Sequence, residues 1–384
     1  MSAHQSLSLT VKNLPLYWRF SEKNLAHPAI PPRYDFQFSY NNELSLFTEK
    51  QTPELLNILD NIYQENANIG YMIDGHNLAA GYGGEYLSFL KKVIGPMSGR
   101  KIVDVGCGGC LVLENLKKEG AKVLGVDPSP IAKEAAARKN IELMNSYFKK
   151  GMLTGFNADA IIQMDVMEHV IDPVTLLQAE TMALGPDGVI VINVPNCESS
   201  LERGDISMAI HQHVNMFSRH SLATVVEAAG LYVAEMECSK FGSALFCVAT
   251  ANKSKRKYRP IDFSTSATSW EDFFKKSQER IKKFKSFYDR NLIEDVGYFI
   301  FQRALPYLSA IGQEPTGRMF DNNTLWHGQF LDGVPSPVEN QQDLMNRPTK
   351  SLLIFSLSFG DQIKSEIQKS NKITKIYTQS DVYD

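Results

Sequence analysis

Between residues 101 and 250 the chain alternates short apolar runs with stretches in which apolar side chains recur every three or four positions. The runs are KIVDVG (101–106), KVLGVD (122–127), IELMNSYF (141–148), ADAIIQMDV (158–166) and GVIVINVP (188–195), with helical periodicity at 111–119, 131–140, 173–184 and 221–229. Strand-like and helix-like segments in turn predict a mostly parallel sheet with crossover helices, an α/β architecture. Two further runs, 231–239 and 244–250, flank a short turn containing Gly242 and predict a hairpin at the sheet edge, for seven strands in all. Upstream, the alternation of Tyr34, Phe36, Phe38 and Tyr40 predicts a strand with one buried face. Thr52 and Pro53 then open a helix over 52–64 with Leu55, Ile58, Leu59 and Ile62 on one stripe. Residues 70–82 read as a Gly-Tyr-rich loop before a helix over 84–94. Downstream, KSKRKYRP and a Ser/Thr-rich turn read as a linker over 252–267, and 269–292 as a helix with Phe273, Phe274, Ile281 and Phe284 on its apolar stripe. Strand-like segments after 293 predict a second, smaller α/β unit. The expected organisation is an N-terminal extension and flap (1–98), a core (99–252), a linker and helix (253–292) and a C-terminal unit (293–384).

Composition narrows the function. In 384 residues, 43% hydrophobic and 22% charged positions with a net charge of −3 describe an ordinary globular chain and disfavour a broadly basic nucleic-acid surface. No stretch approaches eighteen uninterrupted apolar residues and the start lacks a basic segment followed by an apolar one, so neither a membrane span nor secretion is expected. Five cysteines, at 107, 110, 197, 238 and 247, suit free thiols in a reducing, cytoplasmic setting.

The most informative segment is VDVGCGGC, 103–110, at the end of the first core run and opening a helix. Gly106 and Gly108 allow close backbone approach to a ligand, and the helix N–H groups point at it. Asp127, followed by Pro128, ends the second run about twenty residues later, where an acid accepts hydrogen bonds from the ribose hydroxyls of an adenosine cofactor. A dinucleotide fits poorly. Asp104 precedes the first glycine, and Leu111 stands where the third glycine of a pyrophosphate loop belongs. S-adenosylmethionine brings a sulfonium and an ammonium, for which a carboxylate is an asset. The D-x-G-x-G order with a second-strand acid resembles class I SAM-dependent methyltransferases and implies a Rossmann-like core. By that resemblance Asp104, Gly106, Cys107, Gly108, Asp127 and Pro128 hold the cofactor, and Met164 and Asp165 lie beside its methionine part. Glu168 and His169 then begin the loop facing substrate. Cys107-x-x-Cys110 has no second cysteine pair nearby, so no metal is expected. A nicotinamide-dependent oxidoreductase is a minor alternative.

Methyl transfer needs an aligned nucleophile and, in places, a base. AIHQHVNMFSRHSL (209–222) carries His211, His213 and His220 in a loop at the carboxyl end of the sheet. The segment from His213 to Ser218 resembles that of three-domain sugar C-methyltransferases, which act on nucleotide-linked deoxysugars. The resemblance implies His213 as base and His169 as a second active-site histidine, and His211 is a further catalytic candidate. It also puts Gln212 at an acid position and Ile210 at a tyrosine position, which tilts the expectation toward O-methylation. The family's N-terminal zinc module is missing, since residues 1–68 contain no cysteine. Its C-terminal Rossmann-like domain is paralleled after 293, where Arg303 could meet a phosphate. Tyr71 and Tyr82 are candidate substrate contacts in the flap, with Glu168 and Gln212. The expectation is a methyltransferase for a small polar acceptor, a sugar or nucleotide-linked sugar. The alternative of another class is a degenerate SAM-binding scaffold without turnover.

Overall fold

The computed structural model describes residues 8–23, 26–65, 77–240, 243–260, 262, 268–292, 294–356, 360–369 and 375–383, with side chains 77–80 and 82 outside that description. The core sheet has seven strands in the order Tyr232–Cys238, Ala244–Thr250, Leu184–Pro195, Ala158–Met164, Lys101–Val105, Lys122–Val126, Glu142–Met144. The five strands from Lys101 to Pro195 are parallel, and Ala244–Thr250 runs antiparallel to both its neighbours, giving the expected edge hairpin. The apolar runs are continuous because helices cover both faces: Ile161 and Ile162, and Ile190 and Val191, point to opposite sides and all are buried. Strand order reverses between Lys101–Val105 and Ala158–Met164, which opens a crevice outside their carboxyl ends.

Side-chain caps at Thr52, Ser129, Asp172, Ser218, Ser269 and Asn340 mark six helix starts. Thr52 accepts from the Leu55 N–H, and Leu55, Ile58, Leu59 and Ile62 are the buried stripe of Pro53–Gln64. The helix read over 84–94 is longer, Asn77–Ile94, and extends into the stretch read as a loop. Its glycines at 81 and 84 face open space, so they lower helix propensity without marking a turn.

The N-terminal strands are not confined to a flap. Leu9–Pro15, Arg33–Asn41 and Leu46–Glu49 form an antiparallel sheet whose fourth strand, Asn215–Met216, comes from the histidine loop of the core. One face of this sheet, through Phe36, Phe38 and Phe47, shares a core with Phe273, Phe284 and Phe287 of the helix Trp270–Asn291 and with Tyr307 and Phe355 of the C-terminal unit. Burying each such ring is worth roughly 1.5–3 kcal/mol relative to exposure, so the helix binds the two units rather than linking them loosely. The C-terminal sheet is fully parallel, in the order Val338–Glu339, Arg318–Phe320, Val296–Phe299, Ser351–Ile354, Lys375–Thr378. Numbered along the chain this is 3-2-1-4-5, the winding that the parallel part of the core sheet also has.

Candidate active site

A cavity of about 980 Å³ runs along the carboxyl edge of the core sheet. Asp104, Gly106, Cys107, Gly108, Asp127 and Pro128 line one end; Met164, Asp165, Glu168 and His169 line the middle; Gln212, His213 and Arg303 complete the wall. Most residues singled out in the sequence are thus brought together. Tyr71 lies outside the described residues, as does the side chain of Tyr82.

The cofactor end is built by the glycine loop. Gly106 has φ of 72° and a Cβ there would stand 2.5 Å from Val166 Cγ2, so this position excludes any side chain on two counts. The loop is tied to the second strand by the Gly108 N–H, which donates to Asp127 Oδ2 at 2.9 Å, while the Ser129 N–H donates to Oδ1 at 2.8 Å. Asp104 is buried, and burial, with Cys110 and Asp127 nearby, pushes its carboxyl well above the usual range. A cation seated beside it would hold it ionised. Cys107 and Cys110 are free thiols with sulfurs 3.8 Å apart.

At the centre, Asp165 takes a left-handed φ of 55° and turns the chain into the short helix Met167–His169. That turn is pinned to the histidine loop by Asn215, whose side-chain amide donates to Met167 O at 2.9 Å and Val170 O at 2.6 Å. The His169 Nδ1–H donates to Gln212 O at 2.7 Å, with the Tyr63 hydroxyl oxygen 3.4 Å away, which leaves Nε2 unprotonated. The rings of His169 and His213 meet edge to face at 4.9 Å. Burial pushes His169 down to about 4, and burial together with His169 and Arg303 pushes His213 down to about 3. Glu168 is buried with neither oxygen hydrogen-bonded by a described side chain; burial first and Asp165 second push its carboxyl well above the usual range. One ligand atom from each of Glu168, His169 and His213 lies within 4.8 Å of the others, and this oxygen and nitrogen set has the chemistry to hold a divalent cation. The cysteine arithmetic gave no sign of it, since none of the three is a thiol.

His211 is corrected. It does not line the cavity: its Nδ1 meets Glu49 Oε1 at 2.7 Å and its Nε2–H donates to Tyr34 O at 3.1 Å, with both side chains almost fully buried. Two engaged nitrogens leave it no lone pair for substrate, and it pins the histidine loop to the N-terminal sheet. His220 is likewise engaged, by Pro260 O. Gln212 turns its amide to Tyr17 O at 2.9 Å. Tyr17, Tyr63 and Asn215 were not marked as site residues by the sequence; they reach the site through tertiary contacts that no local spacing encodes.

Protonating the cavity histidines has a measurable cost. Their folded-state pKa values lie below the ordinary 6.5, so the unfolded chain binds more protons between about 6.5 and 4, and stability is lost as pH falls through that window. The buried Asp104 and Glu168 carboxyls, held above their usual range, act in the opposite sense, so the histidine contribution is read by difference: in chelator-treated protein, His213→Gln is expected to raise the pH 5 urea midpoint relative to the pH 7 midpoint when compared with wild type.

Residues 76–236 match the family model described as a methyltransferase domain. The ubiquinone biosynthesis O-methyltransferase of Cereibacter sphaeroides is 34% identical over 107 residues, which cover 26% of this chain and 43% of that protein. The mitochondrial enzyme of the same name from Bos taurus is 32% identical over 158 residues, 36% of this chain and 43% of that protein. The chain thus spans about two fifths of the length of these two relatives. A solved SAM-dependent methyltransferase from Aquifex aeolicus is 20% identical, with 43% of this chain and 89% of that one covered at a TM-score of 0.37. A class I methyltransferase domain, with S-adenosylmethionine as its cofactor, agrees with the glycine loop and Asp127. The sugar or nucleotide-linked-sugar acceptor is overturned, because these relatives are named for ubiquinone biosynthesis and for O-methylation. The resemblance misled because a histidine in this loop supplies proton acceptance at the acceptor wall, which a hydroxyl on a sugar and one on an aromatic ring use alike. No described helix is long and apolar enough to cross a membrane.

Proposed function

We propose that the methyltransferase domain at residues 76–236 transfers a methyl group from S-adenosylmethionine to a hydroxyl of a small aromatic acceptor of the catechol or hydroquinone type. The observation that carries this reading is the placement of His213 and His169, both unprotonated, on the cavity wall that continues from the cofactor end. In an in-line displacement the attacking oxygen grows acidic as the new C–O bond forms, so a weak, neutral imidazole suffices to take its proton. A carbon acid beside a ketone must instead be deprotonated before attack, which calls for a stronger base than an imidazole whose proton affinity burial lowers. His213 is the base in this reading, and His169, fixed by Gln212 O, orients the acceptor. The names of the relatives support a hydroxyl on a quinone-type ring as the acceptor.

The unpartnered Glu168 oxygens favour a second reading of the same reaction. Glu168, His169 and His213 would hold a divalent cation, which supplies Lewis-acid polarisation of the acceptor hydroxyl when bound. The full chain incubated with S-adenosylmethionine and either catechol or hydroquinone should yield the mono-O-methyl ether, identified by mass spectrometry. Neither ether forming while the cofactor is bound would overturn the proposal. Activity lost in EDTA and restored by Mg²⁺ or Zn²⁺ would select the second reading; activity indifferent to EDTA would select the first.

A further inference from the structure

Arg303 is a cationic group of the cavity wall that the methyl-transfer chemistry leaves unused, as it does Lys149 and Lys150 on the core side. It follows the central strand of the C-terminal sheet, Val296–Phe299, at the point where strand order reverses toward Ser351–Ile354. Ile300 takes a left-handed φ of 57°, and the short helix Phe301–Arg303 carries the arginine away from its own sheet and into the wall of the core cavity. This is the carboxyl end of a parallel sheet at its switch point, where open α/β sheets place their ligands. The core sheet turns its own switch point toward the same space.

The other arginines around this unit are satisfied. Arg318 pairs with Glu339, Arg19 with Asp332 at 2.6 Å, and Arg33 with Glu314 at 2.6 Å; Arg280 donates to the Tyr307 hydroxyl at 3.0 Å. Arg303 is half-buried, yet its guanidinium makes no hydrogen bond or ion pair with any described residue. The nearby carboxylate, Asp321, is already committed to the Asn323 N–H at 2.8 Å and to the Gln302 side chain. A half-buried guanidinium on a cavity wall keeps its donors free for a ligand that enters the cavity. The charge layout points the same way. Asp104, Asp127 and Asp165 lie along the cofactor side, where a cationic ligand belongs, and Arg303 is the cation supplied to the same cavity by the opposite unit.

We infer that Arg303 docks an oxyanion, a carboxylate or phosphate carried by the methyl acceptor, so that the acceptor spans from the histidines to the C-terminal sheet. A planar fork of N–H donors pairs with either group through two parallel hydrogen bonds, which fixes orientation as well as position. The inference rests on the cavity being the acceptor site, and it deepens that reading by stating what the acceptor carries besides its hydroxyl. Arg303 acts as a specificity residue, since nothing places it at the reacting atoms.

Calorimetric titration of the full chain, saturated with S-adenosylhomocysteine, with benzoate and with inorganic phosphate tests this without turnover. Wild-type protein is expected to bind at least one of them, with Kd raised at least tenfold in Arg303→Gln and less in Arg303→Lys. The affinity for S-adenosylhomocysteine should stay unchanged in both variants, which certifies the fold; if Arg303→Gln loses it, Arg303→Lys decides by whether it still binds the anion more weakly than wild type. Tighter benzoate assigns a carboxylate, tighter phosphate a phosphoryl group. Wild type binding neither anion, or Arg303 variants binding both as well as wild type, would overturn the inference. Failure to methylate catechol or hydroquinone would count against the acceptor reading alone, because the anion titration does not depend on methyl transfer.

Discussion

Asp127→Ala is expected to weaken S-adenosylmethionine binding by about a hundredfold or more in calorimetric titration. The carboxylate ends the strand Lys122–Val126 and is held in place by two backbone donors, Gly108 N–H on one oxygen and Ser129 N–H on the other. Its remaining lone pairs face the cavity, at the distance along the sheet where the cofactor ribose sits in such folds. Hydrogen bonds to a charged acceptor are worth roughly 1.5–3 kcal/mol each, and losing a pair of them, about 3 kcal/mol, corresponds to roughly two orders of magnitude in affinity. Alanine would also strip the Gly108 N–H of its partner and loosen the turn that brings Gly106 against Val166. Asp127→Asn keeps one acceptor oxygen and opposes a backbone N–H with its amide, so an intermediate loss is expected. Binding of Asp127→Ala within threefold of wild type would show that the ribose is held elsewhere.

How much of this was legible before the structure follows from what each signal encodes. The core sheet was, because strands buried on both faces must be apolar throughout and because a strand-terminal Asp and a glycine turn leave local marks. The start of the helix Asn77–Ile94 was not, since the Gly-Tyr-rich stretch 70–82 reads as a loop, although nothing crowds Gly81 within it. Within the histidine loop the resemblance pointed to His213 as base, while local spacing alone could not separate it from His211. His211 and His213 are two residues apart, yet one faces Glu49 in the core and the other the cavity, because the loop goes on to pair with Leu46–Glu49 at Asn215 and Met216. That pairing is long-range and leaves no local pattern. The same holds for Asn215, which ties two loops together, and for Tyr17, which enters the wall from a segment before the N-terminal sheet's second strand. The acceptor was illegible for a further reason. The cofactor fixes the chemistry of its own end of the cavity, whereas the other end is assembled from 17, 63, 212 and 303, positions spread across three sheets' worth of chain.

His213→Ala is expected to lower kcat for methyl transfer by about 10²–10⁴, with the affinity for S-adenosylmethionine left within a fewfold of wild type. The split follows from position: His213 lies on the acceptor wall against His169, within electrostatic reach of Arg303, and the ribose and glycine-loop contacts lie on other strands. The pH profile separates a base role from a packing role. With its pKa pushed down to about 3, the wild-type imidazole is already unprotonated across the ordinary working range, so kcat/KM should show no histidine limb between pH 5 and 7. His213→Gln retains much of the volume and a hydrogen-bonding end but no basic nitrogen; if it behaves like alanine, proton acceptance is the function lost, and if it restores most of the rate, His213 only orients the acceptor. His211→Ala is the internal control. It leaves Glu49 buried with one partner gone, so it should lower the thermal midpoint, while the enzyme that remains folded turns over at a kcat close to wild type. The reverse pattern, with His211→Ala losing kcat in folded protein and His213→Ala losing only stability, would exchange the roles given to the two residues and remove the basis for placing the acceptor beside His213.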